Sequence, residues 1–172
     1  MKRLIFLLTN IALLLFILQV STSCQEQDIA TRINPILNKY LDVWNTGNLD
    51  ELDAITSSEF ELRMTPDFEP KIGRDLLKEE IANTRMGFPD FNIKEDKIFF
   101  VGDSAVVIHW TITGTNTEKS SMPVTGNKVN VPGFSVIFFA DNLITGEWIA
   151  FSDLMWVSQL GFTITPPEFI KK

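Results

Sequence analysis

The sequence predicts an α+β domain: a curved antiparallel sheet wrapped around three N-terminal helices, a cone with an internal pocket. Three observations predict it. Segments with helical apolar spacing come first, and long β-branched and aromatic runs follow, an order that suits α+β rather than alternating α/β architecture. About 150 residues are left once the N-terminal segment is set aside, enough for one domain with one core. No internal repeat or low-complexity linker divides them.

The N-terminus, residues 1–23, reads as a secretion signal. Lys2 and Arg3 form a cationic start, Leu4 to Val20 is almost wholly apolar, and Ser21, Thr22 and Ser23 lead to Cys24. The apolar run carries Asn10 and falls a little short of the roughly 20 residues a membrane span needs. Cys24 is the only cysteine, which excludes an internal disulfide and a thiolate metal cluster. The segment resembles a lipobox, in which such a cysteine is acylated and becomes the mature N-terminus. Ser21 and Ser23 stand where that pattern prefers Leu and Ala or Gly. Lipid attachment at Cys24, ordinary cleavage that leaves an incidental cysteine, and an uncleaved anchor are the three readings. The first makes the protein exported and lipid-anchored to a bacterial membrane, facing the periplasm or the cell surface. Residues 24–28, with Gln25-Glu26-Gln27-Asp28, form a polar tether resembling a surface-export signal, and residues 29–172 form the domain.

The chain holds 15 Lys+Arg and 22 Asp+Glu; without Lys2 and Arg3 the balance is 13 against 22, near −9. That argues against nucleic acid as a partner, since phosphate binding needs cationic patches.

Ile29, Ile33, Ile36, Leu37, Tyr40, Leu41 and Trp44 recur at steps of three and four, one face of an amphipathic helix. Gly47 can close it in the left-handed conformation. Asn48 and Glu51 resemble a capping box for a second short helix with Leu49, Leu52 and Ile55 buried. Glu59 to Met64 alternates as a strand, and a third helix runs from about Arg74 to Arg85 before Gly87-Phe88-Pro89-Asp90 breaks it. Strands are expected over Phe91–Val101, Ser104–Thr113, Val129–Ala140 and Leu143–Phe151. The tail with Pro166-Pro167 is expected to wrap the surface.

Three stretches carry a family resemblance. The first is Gly87-Phe88-Pro89-Asp90-Phe91, then Gly102-Asp103 and the strand ending His109-Trp110-Thr111-Ile112-Thr113-Gly114-Thr115-Asn116. The second is Pro123-Val124-Thr125-Gly126-Asn127-Lys128-Val129 with Phe134-Ser135-Val136-Ile137-Phe138-Phe139. The third is Glu147-Trp148, Asp153 and Gln159-Leu160-Gly161. Over about Ile33 to Gly161 the chain resembles the SnoaL-like polyketide cyclase (ester cyclase) family of the nuclear-transport-factor-2-like group.

The resemblance implies a cystatin-like cone, often dimeric through the outer sheet face, that closes a polyketide ring by an aldol step without metal or cofactor. An aspartate near the end of the last strand would act as general acid and base. Family members commonly read Glu-x-Trp-x-x-x-Asp before Gln-Leu-Gly. Alignment on Trp148 and Gln159 puts Ser152 at the aspartate position, while alignment on Glu147 puts Asp153 there. Neighbours in a strand face opposite sides, so the choice stays open, as does the reading of Asp153 as a cap of the closing turn. Where the family often has His, this chain has Asn116, which cannot shuttle a proton near neutral pH.

The candidate catalytic residues are Asp153 as acid and base and His109 as helper. His109, the only histidine, shares a face with Ala105, Val107, Thr111 and Thr113, opposite Val106, Ile108, Trp110 and Ile112; either face could line the cone. A lone histidine makes no familiar zinc site, so no metal is expected. Tyr40, Trp44, Phe88, Trp110, Asn116, Phe134 and Trp148 are candidates for an apolar ligand pocket, with plain core packing the alternative for each aromatic. Asp50, Glu51 and Asp53 read as a solvated helix face. No phosphate loop, serine elbow or cysteine nucleophile is present. The functional expectation is cofactor-free acid/base chemistry on a small apolar carbonyl compound. The alternative is a non-catalytic anchored lipoprotein that binds an apolar ligand or a protein partner.

Overall fold

Helix α1 occupies residues 28–46 in a computed structural model that describes residues 28–67, 69–163 and 165. The signal segment, Cys24, most of the tether and Pro166-Pro167 lie outside the described residues. Ile33, Leu37, Tyr40, Leu41 and Trp44 are all buried, which is the stripe the spacing predicts. Gly47 closes α1 at φ 77°, its N–H donating to the Val43 carbonyl at 2.8 Å. The second helical segment is a 3₁₀ turn, Leu49–Glu51, followed by α2, Leu52–Ile55. The expected capping box takes another form. Asn48 Nδ2 donates to Glu51 Oε1 at 2.7 Å, side chain to side chain, and neither N-cap, Asn48 or Glu51, makes a side-chain cap to the backbone.

Strand β1, Thr56–Met64, begins three residues before the expected strand. A two-residue strand β2, Lys71–Ile72, pairs antiparallel with it. Helix α3, Arg74–Gly87, buries Leu77 and Ile81. Then come β3, Asn92–Val101, β4, Ala105–Thr115, β5, Lys128–Ala140, and β6, Leu143–Phe151, all close to expectation. A helix not expected from sequence, α4, Asp153–Gln159, follows β6 directly.

The sheet is open and curved, in the order β2-β1-β6-β5-β4-β3. Its pairings are antiparallel except β1 with β6, which run parallel, so the sheet is mixed. The α+β cone expected from sequence is thus the architecture found. Its core lies between the concave face and α1 and α3, with Tyr40, Phe60, Leu62, Leu77, Ile81, Ile108 and Ile137 essentially inaccessible to solvent. Each such side chain contributes about 1.5–3 kcal/mol relative to exposure.

Two polar braces set the open end of the cone. The Arg85 guanidinium donates to the Trp44, Asn45, Phe91 and Pro89 carbonyls, joining α1, α3 and the start of β3. The Asn45 side chain accepts from Ile93 N at 2.7 Å and donates to Ile93 O at 3.0 Å.

One irregularity decides which side chains enter the cone. Between Phe138↔Gly146 and Phe139↔Ile144 the β5–β6 register shifts, leaving Thr145 as an extra residue on β6. A bulge of this kind reverses the alternation beyond it. Ile144 is therefore buried before the bulge, and Glu147 and Ile149 are buried after it, while Trp148 is exposed.

Candidate functional site

A cavity of about 420 Å³ opens between the concave sheet face and the helices. The sheet contributes Trp110 and Ile112 from β4, Ser135 from β5, and Glu147, Ile149 and Phe151 from β6. The opposite wall is Leu41 and Trp44 of α1, Glu80, Asn83 and Thr84 of α3, and Phe88, Phe91 and Ile93 beyond it. Met64 ends β1 and Thr65 and Pro66 follow it, Ser120 to Met122 come from the β4–β5 loop, and Asp153 and Trp156 belong to α4.

Glu147 is the buried acid of this cavity, 3 % exposed. The Tyr40 hydroxyl donates to its Oε2 at 2.6 Å. Ser135 also hydrogen-bonds to its side chain, while Ser135 Oγ accepts from Trp110 Nε1 at 2.8 Å. Burial pushes the Glu147 carboxyl up, against the two hydrogen bonds from Ser135 and Tyr40 that favour its charged form. Tyr40 is pushed well above the usual phenol range, first by burial and then by the Glu147 charge beside it. The phenol thus stays a donor, and the carboxyl carries a larger protonated fraction than an ordinary glutamate.

Backbone geometry makes this arrangement possible. A Cβ on Gly133 would lie 2.1 Å from Trp110 Cη2. The bare glycine lets the indole lie across β5 and reach Ser135.

Asp153 lines the same cavity, partly exposed. The strand ends at Phe151, so the alternation that set Ser152 against Asp153 stops there. Ser152 is the N-cap of α4, exposed, its Oγ accepting from Met155 N at 3.2 Å. It takes the capping role considered for Asp153. With the Thr145 bulge in place, Glu147, Ile149, Phe151 and Asp153 form one row on the cavity wall.

Of the other sequence candidates, Trp44, Phe88 and Trp110 line the cavity. Tyr40 stands behind Glu147, fully buried, and acts on the cavity through that carboxyl. Asn116 is buried away from it. Its Oδ1 accepts from Thr125 N at 2.7 Å and its Nδ2 donates to Gly87 O at 3.4 Å, pinning the β4–β5 loop to the end of α3.

His109, Phe134 and Trp148 stand on the outer face of the sheet. His109 Nδ1 lies 3.7 Å from Asp96 Oδ2, and its ring packs on Phe134 at 4.7 Å. It cannot assist Asp153, because β4 turns its larger apolar face, Val106, Ile108, Trp110 and Ile112, to the core. Trp148 packs on Phe138 at 5.2 Å, with the Arg63 guanidinium 5.7 Å from its ring centroid. The bulge that brings Glu147 in turns Trp148 out.

Glu147 was not among the sequence candidates. One signal could have raised it: it is the only charged residue in Leu143–Phe151, an otherwise apolar or small strand.

The profile of the SnoaL-like polyketide cyclases matches residues 34–160. The chain belongs to that family. A candidate polyketide cyclase from Acidithiobacillus ferrooxidans is 28% identical, with a TM-score of 0.66 over 76% of this chain and 94% of that one. A candidate SnoaL-like polyketide cyclase from Jannaschia sp. reaches a TM-score of 0.69 at 18% identity, over 80% and 94% of the two chains. AclR, a candidate hydroxylase from Streptomyces galilaeus, reaches 0.66 at 18% identity, over 81% and 87%. The last two establish likeness of fold alone. No curated protein matches the chain. Against the SnoaL-like pattern Glu-x-Trp-x-x-x-Asp, the row on β6 and α4 reads Glu147, Ile149 and Asp153, with Ile149 at the tryptophan position.

Proposed function

We propose that this SnoaL-like cavity binds a small, mainly apolar carbonyl compound and moves its protons without a cofactor. The observation that carries the reading is that Asp153 and the buried Glu147 stand on one row of a largely apolar cavity. Asp153 takes the proton from the carbon beside the carbonyl, and the Glu147 carboxyl donates a hydrogen bond to the developing enolate oxygen. The enolate carbon then bonds to a second carbonyl carbon, and Asp153 returns its proton to the new alkoxide. Tyr40 and Ser135 hold Glu147 in place for this role.

The same reading takes residues 1–23 as an export signal and Cys24 as the lipid-bearing residue. It takes the outer sheet face, where Phe99, Val101, Phe134 and Trp148 are exposed, as the surface that pairs two copies. The test is α-proton exchange in D₂O with soluble cyclic 1,3-diketones, followed by NMR. Exchange above buffer that falls about a hundredfold in Asp153→Asn supports the acid/base assignment. Binding without exchange supports the non-catalytic anchored binding module instead.

A further inference from the structure

We propose that the cavity is selective for ligands carrying a cationic nitrogen, a tertiary or quaternary ammonium group. The proposal rests on the cavity being the ligand site and adds the charge class of the ligand.

The aromatic rings of the wall are not scattered. Phe88 and Trp156 lie 5.1 Å apart between centroids, Trp156 and Phe151 6.0 Å, and Phe151 and Trp110 6.4 Å. They make a continuous run of π faces and edges along one side of the cavity. Asp153 belongs to the same run, two residues after Phe151 and three before Trp156. A wall of indole and phenyl rings with a carboxylate at its margin is what a soft organic cation recognises. The ring faces carry negative potential, and an alkylated ammonium gives up little hydration to reach them.

The charges of the cavity are one-sided. Glu80, Glu147 and Asp153 line it, and among the described residues that line it none is Lys, Arg or His. Glu80 is answered from outside the lining by Lys71 at 3.1 Å. Glu147 is answered by the neutral donors Tyr40 and Ser135. An anionic ligand would meet the Asp153 carboxylate beside this wall with no cation in the lining to offset it, whereas a cationic ligand would supply that counter-charge.

The experiment compares choline with its uncharged carbon isostere, 3,3-dimethylbutan-1-ol, on the domain from residue 25 onward. Binding is read by calorimetry and by tryptophan fluorescence at pH 8. The expected result is a choline dissociation constant at least about tenfold lower than that of the isostere. In Asp153→Asn the two should converge to within about threefold, with an unchanged near-ultraviolet spectrum to show that the variant is folded. Equal or weaker choline binding overturns the charge assignment and leaves the cavity as a ligand site. Binding of neither probe overturns both the charge assignment and the reading of the cavity beneath it.

Discussion

Replacing Tyr40 by Phe deletes one oxygen from a fully buried contact, and its effect should depend on pH. The phenol donates to Glu147 Oε2 at 2.6 Å, in a place water does not reach to substitute for it. A hydrogen bond to a charged acceptor contributes about 1.5–3 kcal/mol, and one to a neutral acceptor about 0.5–1.5 kcal/mol. Burial raises the Glu147 carboxyl, so the native protein holds that proton more tightly than the unfolded chain. The stability linked to this proton is complete below the unfolded carboxyl range and is lost as pH rises through the native value. The Tyr40 donor opposes that loss, because it favours the ionised form. Tyr40→Phe should therefore cost about 2 kcal/mol at pH 9 and about 1 kcal/mol at pH 4. For a domain of this size those costs correspond to roughly 4–8 °C and 2–4 °C in Tm. Because Tyr40 itself titrates well above the ordinary phenol range, it still donates at pH 9. The assay is thermal unfolding by circular dichroism at both pH values for wild type, Tyr40→Phe, Glu147→Gln and the double variant. An equal cost at pH 4 and 9 would refute the coupling. So would a pH-dependent cost that persists in the Glu147→Gln background.

Two further outcomes follow from the contacts described above and a third from the proposed lipid anchor. Gly133→Ala places a methyl group 2.1 Å from the Trp110 ring; it should destabilise the domain by about 1–3 kcal/mol and shift the tryptophan emission as the indole leaves Ser135. Asn116→Ala strands the Thr125 N–H, at a cost of about 1–3 kcal/mol. It should also raise hydrogen exchange across residues 116–127, the segment that brings Ser120 to Met122 to the cavity. On the proposed lipid anchor, Cys24→Ser should move the protein from the membrane fraction to the soluble fraction in a detergent partition assay. Retention in the membrane would instead favour an uncleaved N-terminal anchor.

The parts of the fold legible in the sequence were those with a long, regular period. Helix α1 declared itself because every third or fourth residue from Ile29 to Trp44 is apolar and packs on the sheet. Strands β4 and β5 did so because β-branched and aromatic residues persist for ten residues or more. Helix α4 was not legible: it has seven residues, none of them fully buried, and Leu154 and Met155 face solvent. Its one local sign is the serine that caps it. The parallel pairing of β1 with β6 joins segments more than 80 residues apart, beyond the reach of any local pattern. The site was legible in part. Trp44, Phe88, Trp110 and Asp153 could be named from spacing and resemblance, whereas the direction of Phe134, Trp148 and His109 is decided by strand phase, which the sequence leaves open. Glu147 escaped for the same reason, since a carboxyl next to an aromatic in a strand ordinarily takes the solvent side.

Thr145 never touches the cavity, yet it sets what the cavity contains. Thr145 and Gly146 together stand opposite Phe138, so Ile144 and Glu147 both face inward although three positions separate them. Closing that bulge with Thr145 retained would slide the rest of β6 by one residue, turning Trp148 inward and Glu147 outward. Tyr40 would then face an indole in place of a carboxyl. The acidity of the interior is in this sense held by the register of one strand, with no change in the identity of any residue.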